Sequence, residues 1–254
     1  MIKQVSIVSM LAILAICCNQ MEQISPLHYY VLRAVIFARK GITSPCVIFD
    51  STYSVTAEVH DTAGISGAEI ILCVNKEGIT DAYRFVEEKP GFYRYHGTMC
   101  TDCRYVLMVS YKGWKFCDTT YMPAPIVRCS LHPYDTIYSD DPPAIYWNKC
   151  HGAKGYVVTV RPVDSADWRP LHYIGYLTED TCMPAEKLLP YLQGFNDPLT
   201  KVWMEIIAVD TNLFRYYATR MRLDDYIDDP QVIGIFGVGY SKDFYVWVRS
   251  HGDR

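Results

Sequence analysis

Beyond residue 50 the chain alternates apolar and polar positions almost without a break. Val55, Ala57 and Val59 form one set, Ala68, Ile70, Leu72 and Val74 a second, and Tyr105, Leu107 and Val109 a third. A period of two marks a strand with one buried face. Turn residues separate the runs: His60-Asp61-Thr62-Ala63-Gly64, Lys76-Glu77-Gly78, and Lys112-Gly113 ahead of Trp114-Lys115-Phe116, while Gly91-Phe92-Tyr93 opens another strand. Short strands with turns every ~8–12 residues predict a β-sandwich. Upstream, residues 28–39 (HYYVLRAVIFAR) fit a strand or a short helix, and their Tyr, Val and Ile content favours the strand.

The pattern pauses at Pro123-Ala124-Pro125 and Asp140-Asp141-Pro142-Pro143. Proline cannot donate to a strand ladder, so a domain boundary is expected near residues 124–141. Strands then resume at Ala144–Trp147 and Gly155–Val160, the second with Tyr156, Val158 and Val160 on one face. Trp203–Val209 carries Trp203, Ile207 and Val209 on one face and Met204, Ile206 and Ala208 on the other. Phe214–Thr219 and Phe244–Val248 read as further strands. Met183–Leu192 is the helical candidate, with Pro184 suited to a first helical position and Pro190 limiting its length. The expected fold class is all-β, with two tandem β-sandwich domains at 19–135 and 136–254 after an N-terminal segment, 1–18.

That segment changes the picture. Lys3 precedes an almost unbroken apolar run, Val5–Ile16, and Cys17-Cys18 follow. This is the layout of a secretory signal peptide, and the run is short of the ~20 residues a membrane span needs. From the layout alone the protein is a secreted one, or the run stays as an uncleaved anchor or a buried strand. After it, no apolar stretch approaches spanning length. Half the residues are hydrophobic, enough for real cores, and Tyr (21) far outnumbers Phe (9), which suits half-buried strands. The net charge of −4 without a long basic run argues against nucleic-acid binding.

Cysteine usage fits export. Cys46, Cys73, Cys100, Cys103, Cys117, Cys129, Cys150 and Cys182 follow the signal, an even number where oxidation permits pairing. Cys150 with Cys182 is the one pair available within the second domain; the rival reading is that both are buried thiols. Cys100-Thr101-Asp102-Cys103 enters a strand rather than opening a helix, which favours a structural disulfide over redox chemistry or metal.

No catalytic constellation is visible. The histidines are scattered, and neither a G-x-S-x-G nor an H-E-x-x-H occurs. The expectation is no enzyme, no cofactor and no metal. Asp140-Asp141, Asp224-Asp225 and Asp228-Asp229 have calcium-like chemistry, but Asp before Pro is ordinary in turns. Trp114, Trp168 and Trp247 lie near polar residues and are candidates for stacking on a carbohydrate, against the plainer reading of edge-strand packing.

Four resemblances follow from these residues. The apolar run ending in Cys17 or Cys18 resembles the lipobox of bacterial lipoproteins, which implies lipidation of one of them. Residues 143–162 (PAIYWNKCHGAKGYVVTVRP), with Trp203–Asp210 and Tyr216-Tyr217, resemble a fibronectin type III domain, which implies core roles for Trp147 and Tyr156. Ser54–Val74, with Gly67–Leu72, Gly91-Phe92-Tyr93 and Tyr105–Val109, resembles a carboxypeptidase-regulatory-like or immunoglobulin-like module. Together with the ending Ile233–Val238, the arrangement resembles the outer-membrane lipoprotein family called domain of unknown function 4249. That resemblance implies a cell-envelope protein anchored in the outer membrane, facing the periplasm or the surface. Its expected role is non-catalytic protein contact beside an outer-membrane transporter; the alternatives are a carbohydrate-binding module and, more distantly, a secreted hydrolase.

Overall fold

The computed structural model describes residues 30–39, 45–51, 64–163, 175–192, 199–219 and 232–250. Their architecture is all-β. In the first half, β1 (Tyr30–Ala38), β2 (Cys46–Ser51), β5 (Val86–Lys89) and β6 (Phe92–Arg94) belong to one sheet. A second sheet, in the order β4-β3-β7-β8, is built from β3 (Glu69–Lys76), β4 (Ile79–Arg84), β7 (Cys103–Tyr111) and β8 (Trp114–Met122). The alternating residues read from sequence meet between them: Ile70, Leu72 and Val74 with Tyr105, Leu107 and Val109, against Leu32, Ala34, Val47 and Phe49. The hairpin loops Glu77-Gly78 and Lys112-Gly113 have positive φ at both residues, the turn whose twist matches that of paired strands.

The second half contains β9 (Thr136–Tyr138), β10 (Ile145–Tyr146), β11 (Gly155–Pro162), β12 (Tyr176–Thr178), β13 (Cys182–Met183) and β14 (Leu199–Val209). Helix α1 (Ala185–Leu192) lies where the helical candidate was expected. Tyr156, Val158 and Val160 of β11 and Met204, Ile206 and Ala208 of β14 face a core closed by the β10–β13 ribbon and by Leu188 and Leu192 of α1. Trp147 is buried there, its ring 5.4 Å from that of Tyr156. This sandwich therefore has a small second layer made of a ribbon and a helix.

Phe214–Thr219 is not a strand. It falls in α2 (Thr211–Ala218), because Asp210 caps the helix by accepting the Leu213 N–H at 2.7 Å. The cap overrides the strand preference of the aromatic run.

The last strand is longer than the expected Phe244–Val248. It is β15 (Val232–Arg249), which pairs parallel with β1 through residues 232–240 and antiparallel with β14 through residues 239–249. One sheet, β12-β11-β14-β15-β1-β2-β6-β5 with β9 also on β15, thus supplies a layer to both halves. Strand pairing crosses the division at residues 135–136. Gly234 lets β15 approach β1, since a Cβ there would lie 1.8 Å from the Leu32 carbonyl oxygen.

Candidate functional site

Alternation along β11, β14 and β15 sends a second set of side chains away from the core, to the outer face of the shared sheet. Over the end nearer β1 this face is covered by α2. There Leu213 packs with Val157, Ile207, Val209 and Ile235. α2 does not reach the other end.

The end left open among the described residues follows from strand register. Arg161, Trp203 and Tyr245 lie abreast on β11, β14 and β15. One step further, Val163 bonds the Lys201 carbonyl, and Lys201 pairs with Trp247, which pairs with Thr136 of β9. The last row is Leu199, Arg249 and Tyr138. Tyr138, Val163, Leu199 and Tyr245 keep 39%, 40%, 44% and 38% of their surface exposed. Four of the large apolar side chains left exposed among the described residues thus share this one surface, a concentration that single exposed residues do not show.

Cations lie over the rings. The Arg161 guanidinium is 3.7 Å from the Trp203 ring centre, and the Lys201 ammonium is 4.5 Å from that of Tyr245. The acids on this face are already engaged. Trp203 Nε1 donates to Asp243 at 3.3 Å, and the Glu205 carboxylate accepts from the Ser241 hydroxyl. Burial pushes the Glu205 carboxyl above the usual range.

Two polar clusters fix this face relative to the first half. The Asp210 carboxylate accepts from Thr120 Oγ1 of β8, from the Leu213 N–H of α2 and from the Val238 N–H of β15 at 3.1 Å. Burial pushes this carboxyl up to about 6, with the three donors pulling the other way. At the surface, Asp102 Oδ1 lies 2.7 Å from His151 Nδ1 and accepts from the Tyr121 hydroxyl at 2.8 Å. The hydrogen bond with His151, then that with Tyr121, hold the Asp102 carboxyl below its usual range.

Of the residues singled out from sequence, Trp247 stands on the open face. Trp114 does not: its ring packs 4.5 Å from Tyr30 and stacks at 8° on Phe49, as part of the first core. Trp168, Cys17 and Cys18 lie outside the described residues. All eight described cysteines are free thiols. Cys150 is buried in the second core, its thiol donating to the Asn148 carbonyl, whereas Cys182 is half-buried and pairs with exposed Tyr146 on the β10–β13 ribbon. The Cys103 thiol is pushed up to about 11, mainly by burial and next by Cys100, which opposes thiolate chemistry at the C-x-x-C. Among the described residues no group of three or more His, Cys, Asp or Glu could hold a metal ion. The sequence reading missed Trp203, Tyr245 and Tyr138 as surface residues. The outward face of Trp203–Val209 was legible, but not which end of it α2 would cover.

No family model and no curated protein matches the chain. Among solved structures it is similar to the titin Ig tandem domains A164–A165, at 6% identity and TM-score 0.24, over 88% of this chain and 98% of that one. It is also similar to the titin I-band fragment I67–I69, at 10% identity and TM-score 0.22, over 88% of this chain and 65% of that one. A third is Dpr11 IG1 bound to DIP-gamma, at 8% identity and TM-score 0.22, over 89% of this chain and all of that one. At such scores the likeness carries no argument, and the sandwich assignment rests on the strand pairing itself.

Proposed function

We propose that this protein is a non-catalytic scaffold module of the cell envelope. In this reading it is exported, anchored to a membrane by a lipid on Cys17 or Cys18, and acts by contact with an envelope protein. The observation that carries the reading is β15, one strand that belongs to the layers of both halves. A frame of this kind suits a module that holds surfaces at a set angle. The high pKa of the Cys103 thiol speaks against a redox role. The resemblance to the outer-membrane lipoproteins of domain of unknown function 4249 suggests a transporter as the partner. A cross-linking pull-down from intact envelopes tests this: one envelope protein should be captured reproducibly, and its absence from repeated captures sinks the reading. A fatty-acid label should appear on the wild type and vanish in the double variant Cys17→Ala, Cys18→Ala; a mature protein retaining Met1 would contradict anchoring.

A second reading is a carbohydrate-binding module, favoured by Trp203, Tyr245, Trp247 and Tyr138 on one face. Retention on immobilised glycan, lost in Tyr245→Ala, would select it.

A further inference from the structure

We infer that the open end of the outer face, on β11, β14, β15 and β9, is a docking surface for an anionic phospholipid bilayer. The inference rests on the anchored-module reading for its location and on this face for its chemistry.

Charge is the first argument. The whole chain carries −4, yet the open end presents Arg161, Lys201 and Arg249. Of the two acids beside them, Asp243 is exposed and accepts from Trp203 Nε1, and half-buried Glu205 accepts from the Ser241 hydroxyl. Three cations against two hydrogen-bonded acids leave these rows with an excess of positive charge. The side-chain set is the second argument. Trp and Tyr place an apolar ring and a polar tip at the level of lipid headgroups, flanked by Lys and Arg. Here Tyr138, Tyr245 and Trp247 stand beside Lys201 and Arg249 in the rows given by strand register. Leu199 and Val163, both exposed, add aliphatic contacts that a sugar polymer would not need and acyl chains would. Shape is the third argument: the surface is the face of a sheet, and a bilayer is broad enough to meet all three rows at once.

The test uses the full chain with Cys17→Ser and Cys18→Ser, so that no lipid is attached. Flotation with phosphatidylcholine vesicles, with and without phosphatidylglycerol, is compared between this chain and one that also carries Lys201→Glu and Arg249→Glu. Residues 1–16 are common to both chains, so their contribution cancels. Binding should require phosphatidylglycerol, weaken with added salt, and fall roughly tenfold or more in the charge-reversed chain, as expected for two juxtamembrane cations. A Leu199→Ser variant should weaken binding several-fold without changing its salt dependence. Matching thermal unfolding of the variants guards against misfolding. Equal flotation of both chains, or indifference to phosphatidylglycerol, overturns the inference. So does retention on immobilised polyuronate without vesicle binding, which would assign the face to an acidic glycan. The envelope pull-down separates the two proposals. If a partner is captured while vesicles are ignored, the scaffold reading stands and lipid docking falls; the reverse result leaves docking and removes the scaffold.

Discussion

Asp210 shows how one residue can tie separate parts of a chain together. Its carboxylate joins β8, the start of α2 and β15, and it is 3% exposed. Its folded pKa of about 6 lies above the unfolded value of 3.8. A raised pKa favours the folded state below the unfolded value, and that advantage is lost as pH rises through about 6. Wild type should therefore lose stability between pH 4 and pH 7 relative to Asp210→Asn, by roughly 1–3 kcal/mol on the linkage scale. Urea midpoints at the two pH values check this, and parallel curves would refute it. Trp147 is a simpler case. Its ring fills the second core against Tyr156, so Trp147→Ala should cost about 3–5 kcal/mol through the cavity left behind. A midpoint shift no larger than that of Tyr146→Ala, a neighbour at the surface, would mean that Trp147 is not a core residue. Trp147 was legible in the sequence as the end of an apolar strand, whereas Asp210 was not. Nothing local distinguishes a cap from an ordinary loop acid until Thr120 and Val238, distant in sequence, are brought to it.

At the level of elements, alternation predicted well in the described strands β3, β7 and β11, while the set Val55, Ala57 and Val59 lies outside the described residues. β3, β7 and β11 carry the apolar sets read from sequence. It failed at Phe214–Thr219, where Phe and Tyr suggest a strand but the Asp210 cap and the packing of Leu213 on the sheet make a helix. β15 was read only in its last part, because Gly234, Gly237 and Gly239 interrupt the apolar pattern of its first. Those glycines are the condition for pairing: Gly234 sits against the Leu32 carbonyl. Gly234→Ala should therefore separate β1 from β15, with a loss at or above the upper end of the ~1–3 kcal/mol usual for overpacking. Amide exchange along β1 should accelerate more than along β7. Uniform acceleration in both strands would show that the β1–β15 contact is not a local weak point.

For the whole molecule, the shared sheet couples two cores that the proline clusters at residues 123–143 suggest are independent. Unfolding of either half should expose one side of β15 and destabilise the other half. Tryptophan fluorescence and far-ultraviolet circular dichroism should then report a single coincident denaturant transition, with a slope suited to the full chain. Two resolved transitions would show that the halves melt separately and that β15 does not bind them. The open face depends on the same coupling, since its rows are drawn from β9, β11, β14 and the end of β15.

Taken by itself, the sequence determined which segments alternate, where turns fall, which residues can fill a core and that the N-terminal segment has the layout of an export signal. These are properties of near neighbours, set by a period of two and by the chemistry of Gly, Pro and Asp. Only the tertiary structure decided that the C-terminal strand serves both halves, that α2 covers one end of the outer face, and that Trp114 belongs to a core while Trp203, Tyr245 and Trp247 share a surface. An outward-facing aromatic looks the same in sequence whether another element covers it or not. Coverage depends on where residues 211–218 are carried by contacts with β15 and β11, and those contacts join residues that lie far apart along the chain.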